Sequence, residues 1–377
     1  MNPIYLDNAA TTNIYQEVIE VMQTSMAENF GNPSSTHQFG RKAKATVETA
    51  RKNIAKHFNV SAAEIIFTAS GTEADNLILY NAVLNLGVTR IVTSKIEHHA
   101  VSHTCEFLKK SRNITLEYVN VDAFGNIDEL HLAKLLKVSE EKTLVSLMMI
   151  NNEIGNILSI DAIANVCKLN NALFHSDTVQ AIGHYKMDLQ TTLVDFMVAS
   201  AHKFHGPKGV GFAFFRKGFG ILPMLHGGDQ EKGARSSTEN VHAILGMEKA
   251  LEIAHNVLEE DKSYVKNLKS YFINELNKIS KDILFNGLSG DLEKSSYTIL
   301  NVRFPVKNDM LLFSLDLAGI AVSGGSACQS GSNKGSHVLA EILFDGEEDK
   351  TSIRFSFSKF TNKEQIDFTI SKLQEML

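Results

Sequence analysis

The sequence of 377 residues has few cysteines, no excess of basic charge and no long apolar run. Its three cysteines, Cys105, Cys167 and Cys328, lie far apart and include no CxxC pair, which excludes a disulfide scaffold and the usual zinc and redox motifs. The formal net charge of -6 provides no general field that would attract nucleic acid or an anionic membrane. No segment is apolar for long enough to span a bilayer, and MNPIYLDNAATT at the start lacks the pattern of a secretory signal. We therefore expect a cytoplasmic protein without a metal site, in which any important cysteine acts as a thiol.

Short apolar segments rich in β-branched residues alternate with segments of helical period, which is typical of a mostly parallel sheet with helices on both faces. The strand-like segments are EIIFTAS, RIVTSKIEH, ITLEYVNV, TLVSLMMIN, ALFHSD and FMVASAHK, and GVGFAFFR is expected to add another strand. From about Ala250, LEIAHNVLEEDKSYVKNLKSYFINELNKISK has the pattern of one long amphipathic helix, and the strand-like YTILNVRF and TSIRFSFS follow it. These features predict a second, smaller domain that begins in or near the long helix.

The first candidate site residues follow the first two strands, because ligands of open α/β sheets bind at the carboxyl ends of the strands. Gly71 and Thr72 follow a strand and open a helix, where backbone N–H groups and a hydroxyl suit a phosphate. The same pattern also fits an ordinary helix cap. His98 could stack on a planar ligand, act as a base or bind a metal, but a lone histidine is more often structural.

Amide and carboxylate side chains follow the next strands. Asn152 lies in NNEIG after the fourth strand, where an amide can orient a ligand or simply form a turn. Asp177 follows the fifth strand, with Gln180 one helical turn later. The aspartate would be either a helix cap or the partner of a protonated ring nitrogen of a cofactor.

Lys203 follows the sixth strand, between two histidines. Partial burial at such a strand end lowers the pKa of an amine, which favours Schiff-base chemistry. Ser200 and His202 flank the lysine and are chemically suited to hold a phosphate. Here the functional interpretation is favoured over a surface charge.

Two further residues stand in unusual surroundings. Arg354 lies on an apolar strand, a placement that implies an anionic partner such as a carboxylate. Cys328 lies among small residues in SGGSACQSGS, where nothing buries the thiol. By contrast, Cys105 and Cys167 fit helix faces and are expected only to pack.

In this order the motifs YLDNAATT, FGNPSSTH, SGTEADN, EHHAV, NNEIG, HSDTVQAIG, SAHKFHGPKG, HGG, RSSTEN, SGGSAC and SIRFS resemble those of the class V aminotransferases, a family of pyridoxal-phosphate enzymes. Within it they resemble the NifS/IscS-like cysteine desulfurases, and SGGSACQSGS is similar to the long-loop subgroup. The resemblance implies an α/β protein of the PLP-dependent transferase fold type I, with a mainly parallel seven-stranded sheet. It implies a large cofactor-binding domain over residues 14–255, and a small α+β domain over 1–13 and 256–377 with the catalytic cysteine loop at about 322–335.

The resemblance also implies roles for individual residues. Lys203 would form the Schiff base with pyridoxal 5'-phosphate, Asp177 would pair with its ring nitrogen, and His98 would stack on the ring and move protons. Cys328 would receive the sulfur as a persulfide. The other implied cofactor contacts are Gly71, Thr72, Ser200, His202 and Thr238 of the second subunit at the phosphate, and Gln180 and Asn152 at the ring hydroxyl. The implied contacts to the substrate carboxylate are Arg354, Asn152 and Asn32.

The implied activity is conversion of L-cysteine to L-alanine with sulfur transfer to the enzyme, for iron–sulfur cluster, thio-cofactor or tRNA biosynthesis. It implies a homodimer and a sulfur-acceptor protein, either a cluster scaffold or a tRNA-thiolation enzyme. The chain ends at Leu377, so we expect it to lack the tail with which some long-loop members bind the scaffold. The alternatives are a selenocysteine lyase, which needs Cys328 less, and an aminotransferase for small amino acids, which has no use for a flexible thiol.

Overall fold

The computed structural model describes residues 3–324 and 335–377. Cys328 lies outside the described residues, as does most of the predicted cysteine loop. The order of helices and strands follows the order in which the sequence patterns predict them.

A seven-stranded sheet forms the centre of the larger part of the molecule, in the strand order β2-β8-β7-β6-β5-β3-β4. Its strands are β2 (Ile65–Thr68), β3 (Arg90–Thr93), β4 (Thr115–Tyr118), β5 (Thr143–Ser146), β6 (Leu173–Ser176), β7 (Phe196–Ser200) and β8 (Gly211–Phe215). Strands β4, β3, β5, β6 and β7 run parallel, whereas β8 is antiparallel to both β7 and β2. The prediction of a mainly parallel seven-stranded sheet is confirmed, including the added strand GVGFAFFR.

Helices cover both faces of this sheet. They are α1 (Gln16–Glu28), α2 (Gln38–His57), α3 (Gly71–Leu84), α4 (His99–Arg112), α5 (Glu129–Lys137), α6 (Ile160–Leu169) and α7 (Val241–Asn256). Successive strand residues enter opposite cores: Val145 and Met197 pack in one apolar cluster, Leu144 and Phe196 in another. This alternation follows from the pleat of a strand, and burial on both faces explains why the strands are apolar throughout.

A separate apolar cluster, around Phe272, Phe304 and Phe355, lies between most of the remaining elements. The remaining elements are β1 (Ile4–Tyr5) paired with β11 (Ile320–Ala321), the antiparallel strands β9 (Leu284–Phe285), β10 (Ile299–Arg303) and β12 (Ser352–Ser356), and the helices α8 (Leu258–Ile279), α9 (Leu311–Leu317), α10 (His337–Ile342) and α11 (Lys363–Met376). The first strand of the chain thus pairs with a late one. The domain boundaries at residues 13 and 255 stay a prediction.

The helix that the sequence predicts from Ala250 onward is two helices, α7 and α8, separated at Val257. The two halves pack on different cores: Ala250 and Leu251 face the large sheet, whereas Leu268 and Phe272 face the small one. A break lets each apolar face follow its own core. The amphipathic period continues through the break, so the sequence pattern does not reveal it.

Candidate active site

A cavity of about 340 Å³ opens at the carboxyl ends of the parallel strands, where the sequence predicts a ligand site. Most of the predicted site residues line it: Gly71, Thr72, His98, Asn152, Asp177, Gln180, Ser200, His202, Lys203 and Arg354. Predicted site residues as far apart in the chain as Gly71 and Arg354 therefore meet at one place. Several of them lie a short turn beyond the strand that the sequence assigns to them, because the strands end earlier than predicted.

Lys203 is the last residue of a 3₁₀ turn, Ala201–Lys203, that follows β7. The side chain is half-buried, and its Nζ donates to the carbonyl oxygens of Ala9 at 2.6 Å and Ala10 at 2.9 Å. The Nε2 of His184 lies 3.0 Å from the carbonyl oxygen of Lys203, and this contact stabilises the turn. The amine is thus held in the cavity by main-chain oxygens.

The segment that holds the amine belongs to an N-terminal arm, residues 7–13, to which the sequence analysis gave no role. The Thr12 hydroxyl donates to the carbonyl oxygen of His202 at 2.9 Å, and the Thr11 Oγ1 lies 3.1 Å from the Nδ1 of His202. The Gln180 amide donates to the Ala9 carbonyl oxygen at 2.9 Å. The motif YLDNAATT was visible in the sequence, but nothing local in it indicates that it crosses the strand ends of another part of the chain.

Asp177 and His98 stand on adjacent parts of the cavity wall. Asp177 directly follows β6, is buried, and accepts the N–H of Val179 at 2.9 Å through Oδ1. His98 lies beyond β3 and caps α4, with its Nδ1 accepting the N–H of Ala100 at 3.1 Å. Burial is the main cause that lowers the pKa of His98, and the charge of Lys203 acts in the same direction while Asp177 opposes it. Since Nδ1 accepts, the neutral ring carries its proton on Nε2.

The start of α3 provides an anion site in the cavity. The helix begins at Gly71 with Ser70 as its cap, so the N–H groups of its first turn are directed outward at the positive end of the helix dipole. A Cβ on Gly71 would lie 2.6 Å from a methyl carbon of Val179, so only glycine fits this close approach. Nearby, burial and the charges of Lys203 and Lys208 lower the pKa of His202 to about 4, which makes it a neutral hydrogen-bonding group.

Arg354 also lines the cavity. Its side chain, on β12, is 2% exposed; Nη1 donates to the carbonyl oxygen of Asn152 and Nη2 to Oδ1 of Asp7, both at 2.8 Å. In the part of the chain that the structure describes, its Nε has no hydrogen-bond partner. A buried guanidinium with an unused donor is suited to a carboxylate ligand.

Three predicted residues are not placed in this cavity. Asn32 is exposed, with its Oδ1 accepting the N–H of Ser34 at 2.9 Å. Thr238 lines a separate cavity of about 190 Å³ together with Arg235. Cys328 lies outside the described residues. Arg235 pairs with the carboxylate of Glu73, Nε to Oε1 at 2.7 Å.

The two described cysteines lie apart from this site. Cys105 and Cys167 are buried on α4 and α6, and burial raises the pKa of both thiols, so they pack as predicted. Within residues 3–324 and 335–377, no group of three or more histidine, cysteine, aspartate or glutamate residues is arranged to hold a metal ion. No helix in the same ranges is long and apolar enough to cross a membrane.

Comparison with known proteins shows the family to which the chain belongs. The family model of the class-V aminotransferases matches residues 4–368, and the chain belongs to that family. Within it, the cysteine desulfurase IscS of Dictyoglomus turgidum is 41% identical over 99% of this chain and 94% of its own length. The putative cysteine desulfurase IscS 1 of Bacillus subtilis is 40% identical over 97% of this chain and 96% of its own. The solved structure of a NifS-like protein superposes with a TM-score of 0.90, at 36% identity over 99% of both chains.

Enzymes of this family use pyridoxal phosphate, and the residues around the cavity fit that cofactor. Gly71 lines the cavity at the start of α3, where the positive end of the helix dipole is suited to a phosphate. An amine, a carboxylate and an imidazole line the same cavity as Arg354. The donor set therefore matches the phosphate, aldehyde and ring nitrogen of the cofactor.

Proposed function

We propose that this chain is a pyridoxal-phosphate-dependent cysteine desulfurase that converts L-cysteine to L-alanine and passes the sulfur to Cys328. The observation that carries the proposal is the buried Arg354 guanidinium, whose Nε has no hydrogen-bond partner among the described residues, in the same cavity as Lys203 and Asp177. Arg354 is suited to an amino-acid carboxylate and the start of α3 to a phosphate. When bound, the cofactor supplies an electron sink for the bonds around the α-carbon of an amino acid.

The cofactor would be held by residues of distinct chemistry. Lys203 would attach it covalently, and Asp177 would keep its ring nitrogen protonated through an ion pair in a buried site. The first turn of α3, with Gly71 and Thr72, would bind the phosphate together with Ser200 and His202. Gln180 and Asn152 would face the ring hydroxyl.

Substrate and protons would be handled by Arg354 and His98. Arg354 already has two of its nitrogens oriented by Asn152 and Asp7, so the guanidinium is held in place before the substrate arrives. We propose Asn32 as a further contact to the carboxylate. His98, neutral and with its proton on Nε2, would stack on the cofactor ring and move protons to and from the substrate.

The sulfur step balances without an external oxidant or reductant. The Cβ–S bond of cysteine breaks, the carbon takes up a proton, and an S–S bond forms to the Cys328 sulfur, which becomes a persulfide. A thiolate is the required nucleophile for this transfer. Cys328 would be that thiolate, as the family resemblance implies, since Cys105 and Cys167 are buried on α4 and α6.

Three further points belong to the proposal. Thr238 lies outside the cavity of its own subunit, and the rings of Phe30 and Phe39 pack at 5.1 Å while staying largely exposed; we therefore propose a homodimer in which Thr238 reaches the phosphate of the other subunit. We propose a cytoplasmic location. The sulfur would pass to an acceptor protein, a cluster scaffold or a tRNA-thiolation enzyme.

The proposal is tested by product analysis. The protein reconstituted with pyridoxal phosphate and given L-cysteine and a thiol reductant should release alanine and sulfide in equal amounts. Pyruvate in place of alanine would indicate β-elimination, and transfer of the amino group to a keto acid without sulfide would indicate an aminotransferase. Either result would replace the proposed reaction.

A further inference from the structure

Glu153 is a fully buried carboxylate next to Asn152 for which the proposed chemistry has no role. Its main chain ties the turn 151–154 in place: its N–H donates to Oδ1 of Asn151 at 2.9 Å, and its carbonyl oxygen accepts from the amide of Asn301 on β10 at 3.0 Å. The same turn presents the Asn152 carbonyl oxygen to Arg354. The main chain of Glu153 thus supports the guanidinium without involving its side chain.

The Glu153 side chain points to a different part of the molecule. Its Oε2 accepts a hydrogen bond from the hydroxyl of Ser336, 183 positions away in the chain, and its Oε1 lies 3.9 Å from Nδ1 of His337. Ser336 caps α10 by accepting the N–H of Leu339 at 3.0 Å. Because a buried carboxylate is costly without partners, the hydrogen bond with Ser336 holds the start of α10 at this position.

The ring of His337 is held at the cavity wall by Glu97 and His99. Its Nε2 lies 2.9 Å from the carbonyl oxygen of Glu97, an atom that only accepts, so Nε2 carries a proton. The other ring nitrogen faces Glu153, and the ring packs against His99 with centroids 4.4 Å apart. His337 lines the cavity together with Arg354 and Lys203.

Ser323, on the N-terminal side of residues 325–334, is bound to Arg354. Ser323 and Arg354 form an antiparallel bridge, with the N–H of Arg354 donating to Ser323 at 2.7 Å and the N–H of Ser323 donating back at 3.2 Å. Ser323 is thus bound to the main chain of Arg354. Ser336 is bound to Glu153, which lies in the turn whose Asn152 carbonyl oxygen accepts from the Arg354 side chain.

We propose that Glu153 is a positioning residue for sulfur transfer: its carboxylate holds Ser336, and with it the start of α10, beside the substrate-carboxylate site at Arg354. The inference rests on the proposed roles of Cys328, which lies between Ser323 and Ser336 in the sequence, and of Arg354. Glu153 would thus have two separate functions. The main chain of Glu153 serves substrate binding, and its side chain serves the placement of the sulfur acceptor.

Glu153→Gln tests this separation, because the amide keeps the size of the side chain and removes its charge. We expect cysteine affinity, measured from the cofactor absorbance, to change no more than about twofold, since the main-chain bonds remain. Single-turnover sulfur transfer to Cys328, measured by mass spectrometry, should slow about tenfold or more. Amide hydrogen exchange should rise in residues 336–343 and stay unchanged in β5 and β6.

Ser336→Ala removes the other partner of the same bond and should reproduce the slow transfer, and the double variant should be no slower than either single one. His337→Phe keeps the ring contact with His99 and removes both ring nitrogens, so it should also slow transfer. Glu341→Gln is the matched control, since Glu341 lies on α10 but is more exposed and pairs with Lys95, Nζ to Oε1 at 3.0 Å. It should transfer sulfur at the normal rate.

The outcomes distinguish the inference from the function on which it rests. If the unaltered protein acquires no sulfur on Cys328, the proposed function is wrong. If it does and Glu153→Gln and Ser336→Ala do so at the same rate, only the positioning role is wrong. Equal losses of cysteine affinity and transfer in Glu153→Gln would show that the side chain merely supports the fold, which would also overturn the inference.

Discussion

Replacing Arg354 by lysine should weaken cysteine binding about 10- to 150-fold, the equivalent of one lost charge-assisted hydrogen bond of roughly 1.5–3 kcal/mol. The guanidinium is buried, with Nη1 on the Asn152 carbonyl oxygen, Nη2 on Asp7, and Nε without a partner in the described part of the chain. Lysine keeps the positive charge but cannot hold both oriented contacts and still offer a donor to the substrate carboxylate.

The assay is a titration of the reconstituted protein with cysteine, followed through the cofactor absorbance. The absorbance before cysteine should match that of the unaltered protein, since Arg354 donates to Asn152 and Asp7, whereas the Lys203 amine donates to Ala9 and Ala10. Arg303→Lys is the matched control, because Arg303 also lies in the small sheet, on β10, and donates to Asn286 at 3.0 Å instead of facing the cavity. Undiminished cysteine affinity in Arg354→Lys would refute the assignment of the carboxylate site.

Four further predictions follow from the site. Purified protein should be yellow, and Lys203→Ala should lose the absorbance of the covalently attached cofactor; a protein that stays colourless with added cofactor would contradict the cofactor site. Cys328→Ser should keep the colour and bind cysteine but release no sulfide with a reductant, and undiminished release would favour the lyase alternative. Sedimentation should show a dimer, with Thr238→Ala weakening phosphate binding about tenfold; an active monomer would exclude this role. Burial raises the pKa of Glu97 from 4.5 to about 8. The folded state therefore keeps a proton that the unfolded state releases, and the free energy of unfolding falls as pH rises through that range. The melting temperature of Glu97→Gln should depend less on pH between about 5 and 8 than that of the unaltered protein. Equal pH dependence in the two proteins would refute the raised pKa of Glu97.

The sheet and most of the cavity could be predicted from sequence because their signals are local. An apolar run followed by polar residues places Asp177 directly after β6 and Lys203 one short turn after β7. Both therefore lie at the same edge of the sheet. The topology of a parallel sheet then brings His98 and Asn152 to that edge. The resemblance to a family added the roles of the residues, and the comparisons confirm the family.

The remaining features depend on contacts between distant parts of the chain. Nothing in YLDNAATT indicates that the carbonyl oxygens of Ala9 and Ala10 receive the amine of Lys203, 194 and 193 positions away. The bond between Glu153 and Ser336 spans a similar separation. The break at Val257 is hidden for another reason, since the amphipathic period is continuous and only the two separate cores require two helices.

The most direct test of the central claim is mass spectrometry of the intact protein and its peptides after brief treatment with L-cysteine, without reductant. The account predicts one added sulfur atom on the peptide that contains Cys328, and none on the peptides of Cys105 and Cys167, whose thiols are buried. Alanine formed without added sulfur on Cys328, or sulfur found on another cysteine, would contradict it.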